Sequence, residues 1–194
     1  MLRVHEPARD EWRDAIDARW TRFLARCGIV PLYLPNDPGA ARQLLERARP
    51  AGALLTGGGT CSALGTPPDD RDRTEALVLD WAEHGGRPVL GVCRGMQVML
   101  ALAGGRLERV PHHVARHHRV AGEHGARQVN SYHEFGLRDV PAGYVAQTHA
   151  DDGVVESVRH AHRRAAALMW HPERTAPFDD ADIHAFRHFF GDAS

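Results

Sequence analysis

The chain has 194 residues, 43% of them hydrophobic and 25% charged, a balance ordinary for one globular domain, so a single domain is expected across residues 1–194. A formal charge of −1 gives no electrostatic case for nucleic acid, and no apolar run approaches the roughly 20 residues that span a bilayer. All 24 basic residues are arginine, which rules out a Schiff-base lysine, pyridoxal-phosphate chemistry and a Walker A ATPase. The three widely spaced cysteines, without a secretory leader pattern, point to a reducing cytoplasm rather than a disulfide framework.

Leu2 to His5 reads as a short first strand. Trp12, Ile16, Trp20, Phe23, Leu24 and Cys27 recur at helical spacing and predict an amphipathic first helix, with Cys27 on its apolar face. Ile29 to Leu34 reads as a second strand, and Pro38 suits the first turn of a helix carrying Leu44 and Leu45. Ala53 to Thr56 reads as a third strand that ends in Gly57-Gly58-Gly59. A Pro- and Asp-rich loop holding Cys61 runs from Thr60 to Asp70, and Thr74 to His84 is a helix with Leu77, Val78 and Trp81 inward. Pro88 to Val92 is a buried strand, followed by a helix over Met96 to Ala103 that Gly104-Gly105 terminates. From Arg106 onward short β-like pieces follow: Leu107–Val110, Arg119–Ala121, Gln128–Ser131, Tyr144–Thr148 and Val154–Val158. Ala165 to Trp170 is a last apolar strand, and Asp182 to Phe190 a closing helix. Strands alternating with helices in the first half imply a parallel sheet covered on both faces, with ligands at the carboxyl ends of its strands.

The chemistry concentrates at Gly91-Val92-Cys93-Arg94-Gly95-Met96-Gln97. A cysteine between a strand and a helix, flanked by glycines, has the form of a nucleophile elbow. The helix N-terminus is expected to lower the thiol pKa and to offer N–H groups to an anion. His171-Pro172-Glu173 ends the last apolar strand, and Pro172 restrains His171 to extended backbone. His171 is then general base and acid, and Glu173 orients its imidazole, completing a Cys93-His171-Glu173 triad for acyl transfer. Gly57 and Gly58 would supply one side of an oxyanion hole and the Arg94 N–H the other. His112, His113, His117 and His118 fit no standard zinc spacing, and no cysteine or clustered carboxylate joins them in sequence. A solvated β connection is expected there, and neither metal nor cofactor.

With Trp170-His171-Pro172-Glu173, the elbow resembles the class I glutamine amidotransferase superfamily over nearly the whole chain. The resemblance implies a three-layer, flavodoxin-like α/β fold with a mostly parallel central sheet and a small antiparallel β addition. Leu55 to Gly59, Asp72-Arg73-Thr74-Glu75 and Val129-Asn130-Ser131-Tyr132-His133 resemble its γ-glutamyl hydrolase branch. Arg13 to Trp20, Leu34-Pro35-Asn36 and Asn130 to His133 are similar to those members of the branch that hydrolyse γ-glutamyl-CDP-amidate. What this implies is hydrolysis of a γ-glutamyl amide through a γ-glutamyl thioester on Cys93. Gln97 and the backbone near Glu134 and Phe135 would hold the glutamyl α-amino and α-carboxylate groups, with Gly59, Tyr132 and His133 beside them. Arg13, Arg19 and Arg73 would meet a diphosphate in the leaving group. Alternatives within the superfamily are a γ-glutamyl-GABA-type hydrolase and a glutaminase subunit that feeds ammonia to a synthase partner. No residue pattern points to such a partner.

Overall fold

The computed structural model describes residues 1–123 and 125–191. The N-terminus departs from the helical reading. Strands β1 (Leu2–Glu6) and β2 (Glu11–Ala15) form an antiparallel hairpin in which His5 pairs with Trp12. Trp12 is 61% exposed; it stacks on His5 at 4.5 Å and carries the Arg3 guanidinium 5.1 Å above its ring. Helix α1 (Ala18–Arg26) starts only where Asp17 caps it, accepting from the Arg19 N–H at 3.0 Å. Trp20, Phe23 and Leu24, with Cys27 at the C-cap, are its buried face.

The expected strand at Ile29–Leu34 is absent. Pro31 and Pro35 withhold backbone donors, and Val30 is 94% exposed. Between this segment and the edge of the sheet lies a cavity of about 580 Å³ lined by Leu24, Ile29, Leu34, Leu45, Leu54 and Phe190 among others. Helix α2 (Pro38–Ala48) follows, capped by Asp37 and opened by Pro38. Strand β3 (Ala53–Leu55) leads to a 3-10 turn at Ser62–Leu64 and to helix α3 (Asp70–His84). That helix begins earlier than expected because Asp69 and Asp72 form a reciprocal capping box, at 2.8 and 3.1 Å.

Strand β4 (Val89–Val92) enters helix α4 (Arg94–Leu102), and a short β5 (Glu108–Arg109) follows. Strands β6 (Val114–Gly122) and β7 (Gly125–Tyr132) form the long antiparallel pair. Next come β8 (Phe135–Gly136), which pairs with β5, then β9 (Tyr144–Ala150), β10 (Val155–His160), β11 (Ala165–Leu168) and helix α5 (Asp180–Gly191). The main sheet runs β3-β4-β11-β10-β9-β6-β7. Its first three strands are parallel and the rest antiparallel, so the antiparallel addition continues the same sheet.

Alternation along β4 sorts the core into two layers. Val89 faces α2, α3 and α4, packing with Leu45, Val78, Ala82, Met96, Met99 and Leu100. Leu90 and Val92 face α1 and α5, packing with Phe23, Leu24, Ile183 and Phe186. This is the expected three-layer α/β/α architecture. No described helix is long and apolar enough to cross a membrane.

Candidate active site

Three adjacent parallel strands deliver three parts of the site from their carboxyl ends: Gly57 after β3, Cys93 after β4 and His171 after β11. Cys93 sits at φ 51°, ψ −104°, strained for a residue with a side chain. Its own N–H is bonded to Leu168 O at 2.8 Å, which holds the elbow to β11. The helix can start this tightly because Gly95 packs against the backbone of Leu55, where a Cβ would collide. Cys93 is buried. Desolvation pushes its thiol pKa up to about 11, although the Arg94 N–H bonded to the sulfur pulls the other way. The thiolate expected from the helix end is therefore not the resting form, because burial outweighs that dipole.

The imidazole of His171 makes a 2.7 Å bond from Nδ1 to Glu173 Oε1, with both side chains buried. With the proton held on Nδ1, Nε2 is free to act as a base. A methyl group placed on Gly57 would lie 2.5 Å from His171 Cε1, 3.2 Å from Nε2 and 3.3 Å from Cys93 Cβ. Gly57 thus fronts the space that the imidazole and the cysteine share.

Two sets of residues that the sequence pattern did not single out for the site hold these parts in place. Asn130 brackets the His171 backbone, accepting from its N–H at 2.8 Å and donating to its C=O at 2.7 Å. Arg71 donates to the carbonyls of Thr56 (2.8 Å), Gly57 (3.2 Å) and Gly58 (2.6 Å). In a trans peptide the N–H points opposite to the C=O, so the Gly57 and Gly58 N–H groups face away from Arg71. Arg71 also binds Glu75 at 2.8 Å, and Glu75 in turn binds the Arg94 side chain, which reaches Asp72 at 2.7 Å. This buried chain ties the glycine turn to the elbow. Asp72 and Glu75 carried a signal in the Asp72-Arg73-Thr74-Glu75 motif, but nothing in sequence showed that they would meet Arg94.

The remaining expected contacts divide. Gln97 is buried and donates to Phe135 O at 2.8 Å, so it and the Phe135 backbone share one place. Tyr132 stands edge-on to His171 at 5.7 Å, under the Arg174 guanidinium at 4.8 Å. Arg19 pairs with Asp17 at 2.6 Å and lies within electrostatic reach of Glu173 and Tyr132. Gly58 and Gly59 take positive φ beside Leu2. The Glu134 carboxylate turns outward to Arg109 at 3.2 Å. Arg13 pairs with Glu11 on the hairpin and Arg73 with Asp70, so neither is placed at the crevice by any contact. The His133 side chain is fully buried and directed at Glu156 instead. His113, expected in a solvated connection, is buried beside it; His118 joins them, and the carboxylate missing from the local sequence is supplied by Glu156 on β10.

The chain matches the family model for glutamine amidotransferase class-I over residues 19–190. It is 30% identical over 168 residues to a glutamine amidotransferase-like protein, YvdE, of Lactococcus lactis, covering 70% of this chain and 71% of that one. It is 25% identical over 113 residues to the γ-glutamyl-CDP-amidate hydrolase of Campylobacter jejuni, covering 58% of this chain and 56% of that enzyme. A solved structure described as a GMP synthase component of Thermoplasma acidophilum superposes with a TM-score of 0.72 at 20% identity, over 91% of this chain and 87% of that one. The chain belongs to the class I glutamine amidotransferase family, whose members are amide hydrolases of the glutamine type.

Proposed function

We propose that this protein is a Cys-His-Glu hydrolase of γ-glutamyl amides, and that its substrate is γ-glutamyl-CDP-amidate. The observation that carries the catalytic part is the 2.7 Å His171–Glu173 bond on an imidazole that meets Cys93 at Gly57. The substrate γ-carbonyl sits against the N–H groups of Gly57, Gly58 and Arg94. Because the thiol rests protonated, His171 Nε2 takes its proton as Cys93 Sγ attacks the carbonyl. The oxyanion is stabilised by those backbone donors, an effect worth about 3–4 kcal/mol per donor in comparable sites. His171 then passes the proton to the departing nitrogen, leaving a γ-glutamyl thioester. A water deprotonated by His171 attacks the thioester, and glutamate leaves as Cys93 regains its proton.

The glutamyl head is read by Gln97 and the backbone at Glu134 and Phe135, with Tyr132 flanking His171. For the leaving group, the supporting observation is that the Arg174 guanidinium lies 4.8 Å over Tyr132, which faces His171. Guanidinium groups suit a diphosphate, whereas a GABA leaving group offers one carboxylate and ammonia offers no charge. The likeness to the Campylobacter jejuni hydrolase points the same way. The test is glutamate release by the purified protein alone from γ-glutamyl-CDP-amidate, γ-glutamyl-GABA and glutamine. Preference for the nucleotide conjugate is expected. Preference for the GABA conjugate refutes the leaving group but keeps the chemistry. Slow release from glutamine alone refutes the free-standing hydrolase and favours an ammonia-supplying role beside a synthase.

A further inference from the structure

Away from the sulfur chemistry, four side chains converge: His113 just before β6, His118 on β6, His133 just after β7 and Glu156 on β10. His113 Nδ1 lies 3.2 Å from His133 Nε2 and 3.3 Å from Glu156 Oε1. His133 Nε2 lies 3.2 Å from the same Oε1, and His118 Nε2 lies 3.3 Å from Oε2. The ligand atoms of His113, His118 and Glu156 all fall within 4.8 Å of one another. Metal–ligand bonds of about 2.0–2.1 Å at tetrahedral angles place neighbouring ligand atoms roughly 3.3 Å apart, the spacing of the four contacts just given, while the His118 ligand atom stands within 4.8 Å of that of His113.

The outer nitrogens show how the rings are oriented. His113 Nε2 meets Asp152 Oδ2 at 3.1 Å, and His133 Nδ1 meets Phe135 O at 3.2 Å. Both partners are acceptors, so each ring carries its proton on the outside and turns a lone pair inward. Two lone pairs then face each other and a carboxylate that is 0% exposed. Among the described residues, His118 Nε2 and both Glu156 oxygens are buried with no well-formed hydrogen bond. Histidines whose outer nitrogens are fixed by a carboxylate and a backbone carbonyl are the usual supports of a bound metal.

We propose that His113, His118, His133 and Glu156 bind one divalent transition-metal ion of the zinc class. Three imidazoles and a carboxylate suit zinc over magnesium or calcium. Four protein ligands close the site, so its role is structural. It would fasten β6 and β7 to β10. It would also fix Phe135, whose carbonyl is shared by His133 and Gln97, and so set the turn that the substrate reading uses. The site does not depend on that reading.

The test uses cobalt(II) as a spectroscopic probe, titrated into the full chain carrying Cys93→Ala so that the thiol cannot bind it. The expected result is saturation at one equivalent, with the visible bands of four-coordinate cobalt, no sulfur charge-transfer band, and a higher melting temperature. His118→Ala and Glu156→Gln in that background should each abolish the bands. A titration with no stoichiometric band, or a band that survives both substitutions, overturns the proposal. Should those variants fail to fold, X-ray absorption of the zinc-loaded Cys93→Ala protein decides: a shell of three imidazole nitrogens and carboxylate oxygen supports the site, and any other shell overturns it.

Discussion

Gly57→Ala is the sharpest perturbation of the candidate site. Gly57 does not have a positive φ, so alanine suits the backbone, and the effect comes from the new methyl group alone. That methyl would lie 2.5 Å from His171 Cε1 and 3.3 Å from Cys93 Cβ. The ring has little room to yield. Glu173 holds its Nδ1 at 2.7 Å, and Asn130 bonds both sides of its backbone at 2.8 and 2.7 Å. Relieving the clash requires a shift of at least half an ångström to an ångström, and displacement on that scale costs about 100-fold in rate. Overpacking of this kind also costs about 1–3 kcal/mol of stability, roughly 2–4 °C per kcal/mol for a chain of this size. The assay is kcat/KM for glutamate release alongside a thermal melt, with Gly65→Ala as the control. Gly65 has φ 94° and nothing within 4 Å, so that variant carries backbone strain without a clash and should keep full activity. If Gly57→Ala turns over within threefold of the parent, the imidazole does not work where the structure puts it.

Other perturbations separate chemistry from support. Cys93→Ala should abolish turnover with the fold intact; Cys93→Gly should be equally inactive but melt above the alanine variant, because only glycine relieves φ 51°, a strain of about 1–3 kcal/mol. Asn130→Ala strips partners from a buried N–H and C=O and should cost about 2–4 kcal/mol in a denaturant melt, with kcat falling more than KM rises. Alkylation of Cys93 by iodoacetamide, followed by peptide mass spectrometry in the free protein, should climb with pH through 9 toward a midpoint near 11. The sign follows from burial: the neutral thiol is favoured, and only the thiolate reacts. A plateau below pH 7 would show instead a resting thiolate.

Where local pattern and tertiary demand agree, the chain could be read directly. The strand at Val89–Val92 is apolar on every residue because helices cover both faces, and the elbow follows from Gly91 and Gly95 around Cys93. Pro38 marks a helix start by local chemistry that needs no partner, whereas the capping pair Asp69 and Asp72 starts α3 at Asp70, ahead of the Thr74 that the apolar spacing gave. The misreadings fall where spacing admits two answers. Trp12 and Ile16 lie at helical spacing from Trp20, yet Trp12 packs across a hairpin onto His5 and Arg3. Ile29 to Leu34 has strand composition, but Pro31 within it and Pro35 after it leave it unpaired beside the sheet.

The site shows the same division. Its reacting groups are adjacent to recognisable breaks in the chain, whereas the groups that position them come from distant segments and are charged residues that composition alone would place on the surface. Arg71, Glu75 and Arg94 are each less than 5% exposed, and they form one buried ladder between the glycine turn and the elbow. Burying charge is costly unless every partner is present, and removing one partner of such a ladder typically costs about 3–5 kcal/mol. An apolar core of equal volume would serve stability as well, so the ladder's remaining value is geometric. It fixes three carbonyls on one side of the turn and thereby aims their peptide N–H groups. Arg71→Met tests this directly. The substitution frees those carbonyls while keeping the bulk, so kcat should collapse even in whatever fraction of the protein remains folded. Loss of stability with kcat per folded molecule unchanged would refute the aiming role.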